Sequence, residues 1–242
     1  MPSPTVKVFT VAADRERRTL LLRNPMFRDL PEAAVGAVVA MTRTRHLTDH
    51  SRLFTKGDVP DGMYGVVSGC IRATSSTADG REALLGLMEP GCWFGESSLF
   101  DGLPRTYTAD AQGDCELLMI PREPLNALLD AQPQLYRHFV PLLCQRIRLS
   151  TLLLESNALL SLEGRLAQRL LLLAENVLQG GGEPPRHILH LSQEDLSQML
   201  GTSRQSINKV LGDWERTGLI ERHYGALTLS DPAALRALCA PP

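Results

Sequence analysis

The chain has 242 residues and a formal net charge of −2, and 43% of its residues are hydrophobic. These values suit one large or two modest folded domains and exclude a largely disordered chain. No apolar run reaches the roughly 18 residues that span a bilayer, and the N-terminus lacks the apolar core of a secretory signal, so we expect a cytoplasmic protein with no membrane partner. The five cysteines are scattered singly, which predicts neither a metal site nor a disulfide framework.

The first half of the chain predicts short helices followed by a β-rich region. Residues 1 to about 18 are polar and predict a loose arm. Two short helices follow, separated by a turn at Asn24 to Pro25. From about Thr42 to Pro121, short runs of strand-forming residues alternate with glycine turns, two of them at Gly69 and Gly113. Turns spaced by about ten residues are typical of a small antiparallel barrel or jelly roll.

The stretch from Pro133 to Leu160 has apolar residues at helical spacing on two faces. The first face carries Leu135, Phe139, Leu142, Leu149 and Leu153. The second face, here called the seam, carries Val140, Leu143, Ile147, Ser150, Leu154 and Asn157. Steps of three and four residues with a lone asparagine are typical of coiled-coil dimers, so the seam predicts a second copy of this helix. A helix buried inside one domain is the alternative.

Two features predict breaks in the helical part of the chain. The interior Pro141 predicts a kink near Arg137 and a straight helix from about Leu142. The segment from Ser161 to Gly164 separates two strong helical patterns, which predicts a hinge and a domain boundary at about residue 160. Gly180 to Pro185 predicts a plain loop.

The segment that follows this loop has the start and stop signals of a helix-turn-helix. Ser192 predicts the N-cap of a first helix with Asp195 as its reciprocal partner, and Gly201 predicts its end. Thr202 and Ser203 predict the cap of a second helix. The inward residues of that helix are Ile207, Val210, Leu211 and Trp214. Two short strands around Tyr224 and Gly225 predict a hairpin wing beside it.

The outer face of the second helix predicts DNA binding. It carries Arg204, Gln205, Asn208, Lys209 and Arg216. These side-chain types read base edges and phosphates, although an ordinary solvated face is the alternative. From Arg186 to Ser230 basic and acidic residues balance, so attraction to phosphates must come from the way the charges are distributed.

In the β-rich region, Glu96 and Arg105 lie on either side of a predicted turn. A short helical turn after Gly95 would expose free N–H groups that suit an anion. A carboxylate accepts from sugar hydroxyls and a guanidinium binds a phosphate, so the pair fits a small sugar phosphate. A structural ion pair across the loop is the alternative. No catalytic constellation surrounds the pair, and we expect no catalytic residue.

The order of these motifs resembles the bacterial cyclic-AMP receptor protein type of transcription regulator, the Crp/Fnr family. The FGESSLFDGLPRT cassette, the long helix and LSQEDLSQMLGTSRQSINKVL carry the resemblance, which covers roughly Leu20 to Leu229. It implies an α+β fold: an N-terminal antiparallel β-roll with flanking helices, similar to a cyclic-nucleotide-binding jelly roll (residues 1–132), a dimerisation helix (133–160) and a C-terminal winged helix-turn-helix (161–242). It also implies a homodimer that binds two-fold symmetric double-stranded DNA.

The resemblance implies roles for individual residues. Glu96 resembles the residue that takes the ribose hydroxyl of a cyclic nucleotide, and Arg105 resembles the one that holds its cyclic phosphate. The other ligand positions implied by the resemblance are Gly95, Ser97, Thr106, Arg146, Ser150 and Thr151. The implied base-reading positions are Arg204, Gln205 and Lys209, with Asn208 on the same face. The implied phosphate contacts are Ser192, Ser203, Ser206 and His223.

Some residues depart from the family pattern. Gln205 and Lys209 stand where the cyclic-AMP branch has a glutamate and an arginine. The preferred DNA half-site therefore need not have the sequence that the cyclic-AMP branch prefers. Ser97 and Ser98 replace a more usual leucine and small residue, and Tyr107 stands where a small residue is common. The nucleotide is therefore left open among cyclic AMP, cyclic GMP and cyclic di-GMP, and no cofactor is certain.

Other sensing branches of the family fit the residues less well. The iron–sulfur branch has closely spaced N-terminal cysteines, whereas no cysteine precedes Cys70 here. The haem branch has a cysteine and a histidine where this chain has Gly95 and Ser97. Neither group is therefore expected.

We expect a homodimeric DNA-binding regulator that is not an enzyme and is controlled by a small effector. One alternative is an effector-independent regulator in which Glu96 and Arg105 form an ion pair. The other is a nucleotide-gated regulatory subunit of an enzyme. The resemblance places an RNA polymerase contact in the loop from Gly180 to Arg186, where the residues themselves indicate none.

Overall fold

The computed structural model describes residues 11–175 and 187–239. The helices are α1 (Val11–Arg23), α2 (Pro25–Arg28), α3 (Glu32–Met41), α4 (Glu96–Asp101), α5 (Arg122–Ala131), α6 (Tyr136–Leu159), α7 (Leu162–Ala174), α8 (Gln193–Leu200), α9 (Arg204–Arg216) and α10 (Pro232–Ala237). The strands are β1 (Arg43–Leu47), β2 (Arg52–Phe54), β3 (Gly62–Ser76), β4 (Glu82–Met88), β5 (Trp93–Phe94), β6 (Thr108–Pro121), β7 (Ile188–Leu189), β8 (Ile220–His223) and β9 (Ala226–Leu229). None of these helices is both long and apolar enough to cross a lipid bilayer.

The β-rich region forms one antiparallel sheet, as predicted. Its strand order is β1-β6-β3-β4, with β2 also paired to β6 and β5 to β3. The two long strands β3 and β6 pair from Gly62 opposite Pro121 to Thr74 opposite Thr108. Side chains from both strands fill the interior, among them Tyr64, Ile71 and Leu117, each no more than 1% exposed. This sheet is called the β-roll below.

The predicted turns at Gly69 and Gly113 are wrong, because β3 and β6 run through both glycines without a break. Gly69 has a φ of 80°, and the pairing register shifts on either side of Ser68. A Cβ at Gly69 would lie 2.5 Å from the carbonyl oxygen of Asp114. The paired strand supplies hydrogen bonds before and after the irregularity, so the glycine becomes a bulge instead of ending the strand.

The first helix begins earlier than predicted. Residues 11–18 belong to α1 and are not a loose arm, while residues 1–10 lie outside the described residues. The helix is held because Leu21 is buried, only 1% exposed, and because Arg17 is buried and donates a hydrogen bond of 3.3 Å to Thr44. The predicted turn before α2 is present, with the Asn24 side chain accepting from the Met26 N–H.

The long helix α6 begins at Tyr136 and continues through Pro141. Residues Pro133–Leu135 form a short 3-10 turn before it. Helical backbone therefore precedes Leu142, and the bend near Arg137 stays a prediction. At the other end α6 stops at Leu159, and α7 restarts with Ser161 as its N-cap, so the predicted helix break is confirmed.

The two apolar faces of α6 have different surroundings. On the first face Leu135, Phe139 and Leu142 are buried against the β-roll and N-terminal helices. On the seam, Val140, Ile147 and Leu154 are 50%, 65% and 70% exposed. These seam residues lie seven residues apart, so they stack on one side of the helix. The described chain leaves that side uncovered.

Helices α7 to α10 and strands β7 to β9 make up the helix-turn-helix unit. Its small sheet has the order β7-β9-β8, and its core includes Leu166, Leu196, Ile207, Leu211 and Trp214. Two leucines of the β-roll strand β4, Leu84 and Leu87, belong to the same apolar cluster. The helix-turn-helix unit therefore packs directly on the β-roll.

Candidate functional site

The cassette after β5 makes the short helical turn that the sequence predicted. Gly95 has φ 86° and ψ 6°, and α4 begins at the next residue, Glu96. This left-handed conformation favours glycine. A Cβ there would also lie 2.6 Å from Nη1 of Arg105. The turn carries the Glu96 side chain inward, where it is buried.

Glu96 is paired with the long helix. Nε of Arg146 lies 3.3 Å from Oε1 of Glu96, and Nη2 of Arg146 donates to the carbonyl of Trp93 at 2.9 Å. Burial tends to lower the pKa of Arg146, but the Glu96 carboxylate together with the nearby Cys92 and Tyr107 outweighs that effect and the pKa is raised. Arg146, one of the ligand positions that the resemblance implies, therefore lies against the cassette.

Arg105 is also buried but has other partners. Its guanidinium donates to Asp61 Oδ1 at 2.9 Å and to the carbonyl oxygens of Gly62 and Gly95 at 2.6 and 3.1 Å. It lies over the Phe54 ring, 4.3 Å from the ring centre. The Glu96–Arg105 ion pair expected for the effector-independent alternative is therefore wrong, because each side chain pairs with a different partner.

A cavity of about 470 Å³ lies between the β-roll, α6 and the helix-turn-helix unit. Its walls come from β4, the cassette, α6, α7 and Met199 of α8. The predicted ligand residues that line it are Glu96, Ser97, Arg146 and Ser150. The predicted ligand residues that do not line it are Gly95, Arg105, Thr106 and Thr151. Thr151 instead donates its hydroxyl to the Ile147 carbonyl of its own helix, at 3.1 Å.

Two cavity residues have roles that the sequence did not predict. Tyr107 lines the cavity with its ring 5.6 Å from that of Phe54, and burial followed by the nearby Glu96 carboxylate raises its pKa. Arg169 of α7 also lines the cavity. An arginine set among the leucines of LAQRLLLLA was a signal for it, because a cation inside an apolar helical run needs a partner or a path to water. Nothing in the sequence indicated Asp61 as the partner of Arg105.

No group of three His, Cys, Asp or Glu side chains within residues 11–175 and 187–239 is placed to hold a metal ion.

The local signals of the helix-turn-helix are confirmed. The Ser192 side chain accepts from the Asp195 N–H and the Asp195 carboxylate accepts from the Ser192 N–H, which closes the predicted capping box. Gly201 ends α8 at φ 61°. Ser203 caps α9 by accepting from the Ser206 N–H. The predicted inward residues Ile207, Val210, Leu211 and Trp214 are all buried.

The outer face of α9 is positive because the nearby acids are already paired. Asp213 pairs with Arg216, and Glu215 lies 3.9 Å from Arg222. Arg204 and Lys209 are exposed and form no ion pair with any residue in the described part of the chain. The neutral total charge of this unit is thus compatible with a local positive surface.

The wing predicted around Tyr224 and Gly225 is present as β8 and β9. Nε2 of His223 lies 3.0 Å from the Thr228 hydroxyl across this hairpin. Tyr224 at its tip is fully exposed. A shallow hollow lies between the wing and α9, lined by Arg204 and His223 among others. The wing therefore flanks the face of α9 that carries the exposed basic side chains.

Comparison with known proteins gives the family of this chain. The cyclic nucleotide-binding domain family matches residues 44–132, and the Crp-like helix-turn-helix domain family matches residues 164–238. The cyclic AMP receptor protein of Thermus thermophilus is 30% identical over 215 residues, which is 89% of this chain and 96% of that protein. The chain belongs to the CRP/FNR family of transcription regulators.

Two further comparisons support the assignment to the CRP/FNR family. The CRP-like cAMP-activated global transcriptional regulator of Mycobacterium tuberculosis is 28% identical over 216 residues, covering 89% of this chain and 96% of that protein. The crystal structure of TTHA1359, a CRP/FNR regulator from Thermus thermophilus, matches with a TM-score of 0.62 and 28% identity over 81% of this chain and 98% of that one.

In this CRP/FNR regulator a polar contact joins the β-roll to the first helix of the helix-turn-helix. The Arg72 guanidinium pairs with Asp195 and donates to Oε1 of Gln198 at 3.0 Å. The Arg72 and Asp195 side chains are only 22% and 7% exposed. Burial tends to raise the pKa of Asp195, but hydrogen bonds from Ser192 and Arg72 outweigh it and the pKa is lowered. The contact places α8 directly beside the cavity.

Proposed function

We propose that the protein is a homodimeric, sequence-specific DNA-binding regulator whose affinity for DNA is set by a small molecule in the cavity. The observation that carries this proposal is the composition of the cavity wall. The β-roll, the long helix and the helix-turn-helix unit all contribute residues to it. A ligand that contacts three elements has a different affinity when one of them moves, and this difference is what shifts a conformational equilibrium.

The proposed dimer rests on the exposed seam of α6. Val140, Ile147 and Leu154 present a continuous apolar stripe to solvent. A second α6 packed along that stripe would bury it, as in a two-stranded coiled coil. Ser150 and Asn157 lie on the seam and also line the cavity, so the partner helix would close the open side of the cavity.

The proposed DNA contacts lie on α9 and its flanks. Arg204, Gln205, Asn208 and Lys209 are assigned to base edges. Ser192, Ser203, Ser206 and His223 are assigned to phosphates. The Ser192 and Ser203 side chains already cap their helices, so free backbone N–H groups at the two helix starts are expected to supply part of the phosphate contacts.

A cyclic nucleotide is the effector class suggested by the relatives. Glu96 would take a sugar hydroxyl, while Arg146 and Ser150 would approach the base. The Arg105 guanidinium already donates to Asp61 and to two carbonyl oxygens, so a cyclic phosphate would have to compete with Asp61 for it. We therefore expect weak or partial control by cyclic AMP, cyclic GMP or cyclic di-GMP. Coupling between two sites is typically about 1 to 3 kcal/mol even in well-adapted regulators.

The experiment is selection of bound sites from random duplex DNA by the full-length protein, with and without each nucleotide. We expect enrichment of a two-fold symmetric site, and isothermal titration of each nucleotide gives its affinity. Glu96→Gln should reduce any nucleotide response, whereas Glu123→Gln, an exposed carboxylate on α5, should not. Recovery of no symmetric site at low salt would overturn the DNA-binding proposal. Symmetric sites that no small molecule affects would favour the effector-independent alternative.

The cytoplasmic location, the RNA polymerase contact and the division into residues 1–132, 133–160 and 161–242 remain part of the proposal. The loop from Gly180 to Arg186, where a polymerase contact is expected, lies outside the described residues.

A further inference from the structure

The cavity has an unbalanced charge. Its ionisable side chains at neutral pH include one carboxylate, Glu96, and two guanidinium groups, Arg146 and Arg169. Glu96 and Arg146 form an ion pair at 3.3 Å. Arg169 is therefore left as a net positive charge on the cavity wall.

Arg169 has no partner for that charge among the residues the structure describes. Its Nε is buried and makes no hydrogen bond. Burial lowers the pKa of the guanidinium, and no carboxylate offsets the effect. Arginine nevertheless stays protonated at neutral pH because its ordinary pKa lies far above neutrality. A partly buried cation without a counter-ion is costly, and an anion beside it would remove that cost.

The rest of the cavity wall is largely apolar. It includes Met88, Phe94, Leu149, Leu153, Leu172 and Met199. Ligand sites of this kind bind an apolar body by burial and use a few polar groups to orient it. Flexible methionines at two positions let such a wall adapt to the shape of a ligand.

We infer that the cavity binds a small organic anion with an apolar body, and that Arg169 holds its anionic group. This inference rests on the proposed function only in taking the cavity as the effector site. It assigns recognition of the anion to the helix-turn-helix unit, since Arg169 is on α7, and not to Arg105 of the β-roll. A ligand held in this way is attached at one end to α7 and along its body to β4 and α6.

The test uses two fluorescent probes that share the same aromatic body. 8-Anilinonaphthalene-1-sulfonate carries an anion, and N-phenyl-1-naphthylamine has the same rings without it. Each is titrated into the full-length protein, with one site per protomer as the criterion for cavity binding. Arg169→Gln is expected to lower the affinity for the sulfonate probe by about tenfold or more, because it removes a charge-assisted hydrogen bond. The dissociation constants of the uncharged probe for wild type and for Arg169→Gln should agree within about twofold.

Two further variants separate recognition of the anion from a change in the fold. Arg165→Gln removes a neighbouring arginine of α7 whose Nε is also buried without a hydrogen bond but which does not line the cavity. Arg165→Gln should leave the affinity for both probes unchanged. Arg169→Lys keeps the positive charge and should retain most of the affinity for the sulfonate probe. The unfolding midpoint of each variant is measured in parallel.

The inference is overturned if Arg169→Gln weakens both probes equally, or if Arg165→Gln has the same effect on the sulfonate. It is also overturned if neither probe binds at one site per protomer. Selection of DNA sites with the same preparations keeps this outcome distinct from failure of the proposed function. A protein that selects symmetric sites and responds to a cyclic nucleotide regardless of Arg169 would keep the proposed function and refute this inference.

Discussion

The contact between Arg72 and α8 predicts that Arg72→Gln destabilises the protein although it removes only one methylene of apolar surface. Removing one partner of a fully buried ion pair costs about 3 to 5 kcal/mol, and an exposed pair is worth about 0 to 1 kcal/mol. Here the two side chains are 22% and 7% exposed, and Asp195 keeps its hydrogen bonds with Ser192. An intermediate loss of about 2 kcal/mol in the free energy of unfolding is therefore expected.

The assay is equilibrium denaturation in urea at a fixed protein concentration. Tryptophan fluorescence reports on both parts of the molecule, because Trp93 lies in the β-roll and Trp214 in α9. A double-mutant cycle with Asp195→Asn isolates the coupling free energy between Arg72 and Asp195. This substitution keeps an oxygen that can accept the capping hydrogen bond from Ser192.

The matched control is the Arg52–Asp110 pair of the β-roll. Its hydrogen bonds are 2.8 and 3.3 Å long, but its side chains are 58% and 25% exposed. The same cycle on that pair should give a coupling energy below about 1 kcal/mol. A coupling energy for Arg72 and Asp195 no larger than the control would refute the argument that burial makes this contact strong.

Three other predictions follow from the structure. Leu154→Lys should convert the proposed dimer to a monomer by placing a charge in the apolar seam, whereas Glu155→Lys on the adjacent exposed position should not; sedimentation equilibrium distinguishes the two. Arg204→Ala should cost about 1 to 3 kcal/mol of binding to the selected site and relax the preference at one guanine, and an equal loss on every sequence would argue against base reading. Because the folded-state pKa of Asp195 is lowered, its contribution to stability is present above the unfolded value of about 3.9 and is lost as the pH falls through the folded pKa. The urea midpoints of wild type and Arg72→Gln should therefore draw closer as the pH falls below about 3.9.

Features set by neighbouring residues were predictable from the sequence. The caps at Ser192 and Ser203 and the helix end at Gly201 depend on residues at most four positions away. Their hydrogen bonds form in the same way whatever lies around them. The seam was predictable for a similar reason, because helical spacing alone decides which residues share a face.

Features set by distant residues were not predictable. Gly69 became a bulge because β6 supplies hydrogen bonds on both sides of it, and a local turn signal carries no information about that strand. Arg105 pairs with Asp61, 44 residues earlier in the chain, instead of facing the cavity. The ion pair of Arg72 with Asp195 spans 123 residues. Long-range pairing of this kind leaves no spacing pattern to detect.

The shared apolar cluster has a consequence for engineering within this family. Leu84 and Leu87 of the β-roll pack into the core of the helix-turn-helix unit. A chimera joined at the break after Leu159 would place those leucines against a foreign α8 and leave them poorly covered. Exchange of specificity between relatives is therefore expected to succeed only when β4 and the facing surface of α8 are transplanted from the same parent.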